Sequence, residues 1–373
     1  MDDELWRRLA QTRDGRNIDP ALGTLAGEGA QIEVKRPGEA FPVSPGVARE
    51  IPSVLLSKEA PSYYGLPMIK EPVWSPAVPA YFFVGGAAGA ASLLASVLAL
   101  RSPRRKLGRL TRRARWLGAL GVGASAGLLI YDLGRPARFL NMLRVFRPSS
   151  PMSVGSWILT ASGAASGAAA LFGERRGLLD ALGRSAGFLA GLLGPALAGY
   201  TGVLLATTAV PVWQESRTRL PLLFMSSGVT AAASLLELLP ATPSEARVLR
   251  RYGIAGKAAD LAATFALHKE AARVERVARP LRRGASGALL TAATGLTAAS
   301  LAASLFPGRG RRRTLFGALA GALGSLAMRY AIVQAGKMSA RDPHASFEAQ
   351  RAQPEIAGAP SPSLERPTAP LPA

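Results

Sequence analysis

Residues 81–100 read YFFVGGAAGAASLLASVLAL, and residues 101–115 read RSPRRKLGRLTRRAR. The first stretch carries no charge and, at about 1.5 Å of rise per residue, reaches across roughly 30 Å of hydrocarbon. The second carries Arg101, Arg104, Arg105, Lys106, Arg109, Arg112, Arg113 and Arg115 with no acid among them. A basic loop at the end of an apolar segment marks the cytoplasmic side of a membrane helix. These two stretches therefore set both the fold class and its orientation.

Further segments of the same kind lie at 116–134, 153–173, 185–210, 220–240, 252–272, 285–306 and 314–336, with the first running over 79–100. The expectation is an all-α integral membrane protein of about eight helices. The sixth segment carries Lys257, Asp260, His268, Lys269 and Glu270. It must face the bundle interior or water, or lie partly outside the membrane, and the count ranges from about seven to nine accordingly. Basic loops at 308–313 and 174–184 agree with the first. Eight spans put both termini on the periplasmic face of a bacterial inner membrane, with loops 135–152, 211–219 and 273–284. Arg276 and Arg282 in the last of these break the bias. They call for an anionic partner or a buried counter-charge, or are tolerated because the first helices dominate orientation.

Pro79-Ala-Tyr-Phe-Phe-Val-Gly85 opens the first span, and Pro221-Leu-Leu-Phe-Met-Ser-Ser-Gly228 opens the fifth. This echo suggests two four-helix bundles in parallel repeat, over 79–213 and 214–340. Small residues four apart, at Gly85/Gly89, Gly123/Gly127, Gly163/Gly167, Gly187/Gly191 and Gly317/Gly321, are expected to let helix backbones approach closely. Residues 1–78 are polar, lack the apolar core of a signal peptide, and read as a periplasmic arm that orders on a partner. Residues 341–373, rich in Pro, Ala and Ser, read as a disordered tail.

The chain has 373 residues, 49% of them hydrophobic, and a formal charge of +21. So basic a chain could suit nucleic acid, but its basic runs sit between apolar spans as topology signals do, so no nucleic-acid partner is expected. It has no cysteine and only two histidines, His268 and His344. That excludes a cysteine-ligated iron–sulfur cluster and a disulfide framework, and His344 lies in the polar tail, so a bis-histidine haem inside the bundle is excluded too. No metal site is expected.

Polar residues inside apolar helices are costly, about 2.5–3.5 kcal/mol for a central charge on the insertion scale, and so are functional candidates. Asp132 ends the second span and is followed by Arg135 and Arg138. It is either an interfacial ion pair or the group that exchanges protons with a two-electron carrier such as quinol. Tyr81 and Tyr200 are either structural tyrosines or hydrogen-bond donors to a carbonyl oxygen. Glu237, Asp260 and His268 form a proton route, or else Glu237 and Asp260 snorkel or pair with Arg247 or Lys257. Trp213 reads as interfacial belt. The proline-rich loop with Arg147 and Pro148, running into Trp157, offers a docking surface together with Arg138.

These stretches resemble a known family. PAYFFVGGAAG at 79–89, YDLGRPARF at 131–139, FRPSSPMSVGSW at 146–157, YTGVLL at 200–205, PVW at 211–213, LPLLF at 220–224 and GKMSARDP at 336–343 are similar to the NrfD/polysulfide reductase membrane-subunit family. The resemblance spans about 74–343. It implies a haem-free subunit that binds quinone or quinol near the outer face. It also implies electron exchange with a docked, ferredoxin-like iron–sulfur subunit, often completed by a molybdopterin catalytic subunit. Carried over by motif, Tyr81, Asp132, Arg135 and Tyr200 lie near the quinone. Some members carry a histidine at this pocket; the first bundle here has none. Composition points the same way, because a chain without metal ligands handles electrons only through a diffusible carrier beside a partner's cluster. The competing expectations are a non-redox anchor or proton-conducting module, and a solute transporter, which would show helices broken at the midplane.

Overall fold

A computed structural model of the full chain describes residues 17–19, 24–26, 69–101, 104–306 and 310–346. The chain divides into two compact units, Met1–Tyr64 and Gly65–Ala373. In the first, Asn17–Asp19 (β1) pairs antiparallel with Thr24–Ala26 (β2). The rest of the arm up to 68, and the tail beyond 346, lie outside the described residues.

Among its described residues the second unit has helices and no strands. In chain order it contains α1 (Ala77–Arg101), α2 (Arg104–Leu133), α3 (Pro136–Met142), α4 (Pro151–Phe172), α5 (Leu178–Ala206), α6 (Pro211–Glu215), α7 (Arg219–Glu237), α8 (Pro243–Ala271), α9 (Glu275–Arg282), α10 (Gly284–Leu305) and α11 (Arg311–Arg341). Eight are long, as expected, and α3, α6 and α9 are short helices within what the sequence marks only as loops 135–152, 211–219 and 273–284. Turn chemistry places their edges. Pro136, Pro151 and Pro211 start helices where a missing N–H costs nothing, and Ser150 caps α4 by accepting from the Ser153 amide.

Seven of the long helices are apolar enough to span a bilayer; α8 is the exception. Its 29 residues extend about 43 Å. It nevertheless runs alongside α7: Thr218 and Arg219 at the start of α7 meet Glu270 at the end of α8. At the opposite end of α7, Glu237 meets Lys257. The sixth segment thus runs beside α7, with Lys257 and Asp260 buried and Lys269 exposed. Its first turn is secured by a capping box between Thr242 and Glu245.

Helix α1 is the hub, packed against α2, α5, α7 and α11. Three glycines on three of its faces make this possible. Gly85 lies against Ser125 of α2, Gly86 against Gly228 of α7, and Gly89 against the Gly194 carbonyl of α5. A side chain at Gly89 would run into backbone, which cannot move aside. Gly191, Gly317 and Gly321 also pack closely. Gly123, Gly127 and Gly167 meet nothing within 4 Å, so the expectation of close packing fails for them. Spacing alone does not reveal which way a face points.

The residues before α1 form a strap over one end of the bundle. The carbonyls of Trp74 and Pro76 accept from Lys337 Nζ and the Tyr330 hydroxyl, each at 2.8 Å, and Arg341 pairs with Glu71 at 2.7 Å. The opposite end carries the basic 101–115 segment.

Gly89→Leu should destabilise the purified protein by about 1–3 kcal/mol or more through overpacking, whereas Gly127→Leu should change its melting temperature little. Thermal unfolding in detergent distinguishes the two.

Candidate functional site

At the strap end, aromatic rings make a continuous cluster. Trp74 stacks on Trp213 with centroids 5.5 Å apart and 12° between planes, and meets Phe82 edge-on at 6.3 Å. Phe82 touches Tyr81 at 5.3 Å and Phe224 at 5.9 Å, and Tyr81 meets Tyr200 edge-on at 6.5 Å. Trp213 is not interfacial belt: it is 1% exposed, and its indole N–H donates to the Ile332 carbonyl at 2.9 Å. Gly336 provides the space for its ring.

Tyr81 and Tyr200 thus come together, from α1 and α5. The Tyr200 ring lies over Gly155, where any side chain would collide with it. Its hydroxyl is buried with no hydrogen-bond partner among the described residues. An orphaned buried hydroxyl is costly, which makes it a donor ready for a ligand oxygen. Aromatic walls and one such donor suit a flat, apolar carbonyl compound.

Asp132 lies nearer the strap. Ser125 donates to the Tyr81 carbonyl at 3.3 Å, and Asp132 follows it on α2 by two turns, roughly 10 Å along the axis. The partner of Asp132 is Ser75, 57 residues away: its Oδ1 accepts the Ser75 amide at 3.1 Å and the Ser75 hydroxyl at 2.5 Å. The carboxylate therefore pins the strap. The expected meeting of Asp132 with two guanidiniums does not occur among the described residues. Arg135 is exposed, and Arg138 donates to the Leu133 carbonyl at 3.1 Å.

The loop before α4 is ordered and open. Ser153 Oγ accepts the Arg147 amide at 3.1 Å and donates to the Val145 carbonyl at 3.2 Å. Arg147 and Pro148 are exposed, and Trp157 packs edge-on against exposed Phe146 at 6.1 Å.

A second constellation lies among α7, α8, α10 and α11. Lys257 is fully buried, 3.6 Å from Glu237, and donates to Ser304 at 2.9 Å. Glu237 therefore pairs with Lys257, one of the two alternatives left open by the sequence. Asp260, one turn along α8, is buried with Oδ2 unpartnered, and Arg329 is its electrostatic neighbour. His268 lies two turns further, with Nδ1 2.9 Å from the Thr264 carbonyl. Positions 257, 260, 264 and 268 share one helix face.

Arg329 is the residue that sequence reasoning passed over. It is 1% exposed, stacks over Phe224 at 3.9 Å and donates from Nη2 to the Phe224 carbonyl at 2.7 Å, while Nε and Nη1 have no hydrogen-bond partner among the described residues. A lone arginine in the apolar run 314–336 is the signal that could have found it. The long helices run unbroken through the described residues, unlike the discontinuous helices of a transporter.

The sequence model of the NrfD-type polysulfide reductase family matches residues 61–341. No curated protein matches the chain.

Because Lys257 and Glu237 neutralise each other in a buried setting, Lys257→Met alone should cost about 3–5 kcal/mol by leaving a carboxylate uncompensated. Adding Glu237→Leu should restore most of that loss. Melting temperatures of the two variants against the parent measure both effects.

Proposed function

Because the chain belongs to the NrfD-type polysulfide reductase family, we propose that it is the haem-free quinone-interacting membrane subunit of a multi-subunit oxidoreductase. In this role it exchanges electrons between the quinone pool and a docked, ferredoxin-like iron–sulfur subunit, with a molybdopterin subunit completing the complex. The observation that carries the proposal is the buried, unpartnered hydroxyl of Tyr200, whose ring packs edge-on against Tyr81 inside an aromatic cluster. It occurs in a chain with no cysteine. A bound quinone supplies two-electron, two-proton chemistry. Tyr200 donates to its carbonyl, Tyr81 and Phe82 wall the ring, and Asp132 exchanges protons toward the strap end. Arg135, exposed beside Asp132, draws anionic headgroups or partners to the mouth rather than touching the ring. Arg138, Arg147, Pro148 and Trp157 form the surface on which the iron–sulfur subunit docks.

A second activity of the same subunit is favoured by the buried charges of α7, α8 and α11. Asp260 and Arg329 hold three polar atoms without protein partners, which internal water would join into a route from Glu237 through Asp260 toward His268. In this reading the chain lies in the bacterial inner membrane, with both termini and α3, α6 and α9 on the periplasmic side.

Quinone analogues should quench the fluorescence of Trp74 and Trp213. Tyr200→Phe, which keeps the ring, should weaken that binding by up to about tenfold, the worth of one hydrogen bond. Asp132→Asn keeps the Oδ1 that accepts both Ser75 bonds, so the complex should assemble and bind quinone while quinol turnover falls about a hundredfold or more. If no quinone analogue binds, or turnover survives the loss of Asp132, the assignment is wrong.

The absence of cysteine makes orientation directly measurable. In intact spheroplasts an impermeant maleimide should label Asn141→Cys but not Arg109→Cys, and lysis should expose the latter. The reverse pattern would invert the topology.

A further inference from the structure

At the end of the bundle opposite the strap, the first turns of α2 and the junction of α4 with α5 enclose a cleft of about 280 Å³. Among the described residues Arg112, Arg115 and Arg184 line it with one acid, Glu174, and Asp180, outside the lining, pairs with Arg184, so the cations remain in excess. Arg115 is the fixed member. It is 8% exposed and donates from Nη1 to the Gly173 carbonyl at 3.0 Å, and Gly173 and Gly187 leave its guanidinium room against the backbone. Arg112 and Arg184 are more open, with side chains more than half exposed, Arg112 3.4 Å from Glu174 and Arg184 2.7 Å from Asp180. The Arg112–Glu174 pair, exposed on both sides, is weak and yields readily to a stronger anion, while Arg184 is held at the cleft by the nearly buried Asp180 carboxylate.

The depth of the cleft identifies the anion. The uncharged stretch of α2 begins at Trp116, the residue after Arg115, while Leu107, Gly108 and Thr111 line the same cleft, so it opens where the apolar segment gives way to the basic one. Leu100, Leu171 and Leu178, on the helix ends around it, are exposed by 69%, 56% and 89%. Apolar side chains beside a cluster of guanidiniums match a molecule that carries acyl chains below a phosphate, and guanidinium is suited to grip a phosphate through paired N–H groups.

We propose that this cleft is a binding site for the phosphate of an anionic membrane phospholipid, held by Arg112, Arg115 and Arg184. The bound lipid ties α2 to the α4–α5 turn. The site is separate from the aromatic cluster and stands whether or not quinone binds there.

The test adds phosphatidylglycerol, phosphatidylcholine or inorganic phosphate to the full chain purified in neutral detergent, and reads bound lipid by native mass spectrometry and the melting temperature in parallel. Phosphatidylglycerol should remain bound and raise the melting temperature; phosphatidylcholine and inorganic phosphate should not. Arg112→Gln or Arg184→Gln should each weaken phosphatidylglycerol about fivefold, and the pair about 25-fold, as expected for charges near a membrane surface. Arg112→Lys with Arg184→Lys, which keeps the charge, should retain more affinity than the glutamine pair. Equal stabilisation by phosphatidylcholine would make the effect merely apolar, and equal stabilisation by inorganic phosphate would make the ligand a free ion. Either result, or undiminished binding in the glutamine pair, overturns the lipid site.

Discussion

Hydrocarbon offers no water to a charge, and this constraint decides where the helices of the second half stand. Lys257, Asp260 and Arg329 are buried by protein, and Glu237, at the end of α7, is nearly so beside Lys257. Helix α8 is too polar to face lipid on every side, so it lies on α7 and α10, with Lys257 and Asp260 on its inward face. Helix α7 meets that demand with small and hydroxylated residues, Ser227, Gly228, Thr230 and Ser234, which let backbones close in and supply polar atoms at the seam. On its other side Ser227 joins Ser325 of α11 at 2.5 Å.

The same constraint reaches the first helix. A Cβ at Gly86 would stand 3.0 Å from Arg329 Nη2, so this glycine of α1 keeps the space that the buried guanidinium fills. The arginine is then supported on three sides: by the Phe224 ring beneath it, by the Phe224 carbonyl, and by the charge of Asp260. A glycine that spacing alone would assign to helix packing is thus tied to electrostatics on a helix some 240 residues away.

Length and hydropathy made the eight long helices legible, because a bilayer demands about 20 apolar residues whatever lies beside them. Helix α8 was legible as the exception for the same reason. Partners were less so. Asp132 followed by Arg135 and Arg138 reads as an ion-pair cluster, yet the carboxylate bonds to Ser75, which only the return of the chain over the bundle brings near. Trp213 at a helix end reads as belt, since sequence carries no sign that Trp74 and Gly336 will enclose it. The glycines divide in the same way: Gly89 packs and Gly127 does not, because facing depends on neighbours rather than on period. Tyr81 and Tyr200 were named for their chemistry, and the fold brings their rings together.

The two constellations are not separate islands. Tyr200 touches Tyr81, Tyr81 touches Phe82, Phe82 touches Phe224, and Phe224 carries the guanidinium of Arg329 on its face. Every contact in that series is between buried or half-buried groups, so a ring displaced at Tyr81 bears on its neighbour. Contiguity of this kind is not itself coupling, which requires an element with two arrangements that both sites bias. Arg329 has the makings of such an element: one N–H group is committed to Phe224, two are unpartnered, and a carboxylate lies nearby. A shift of Phe224 changes which of these the guanidinium satisfies.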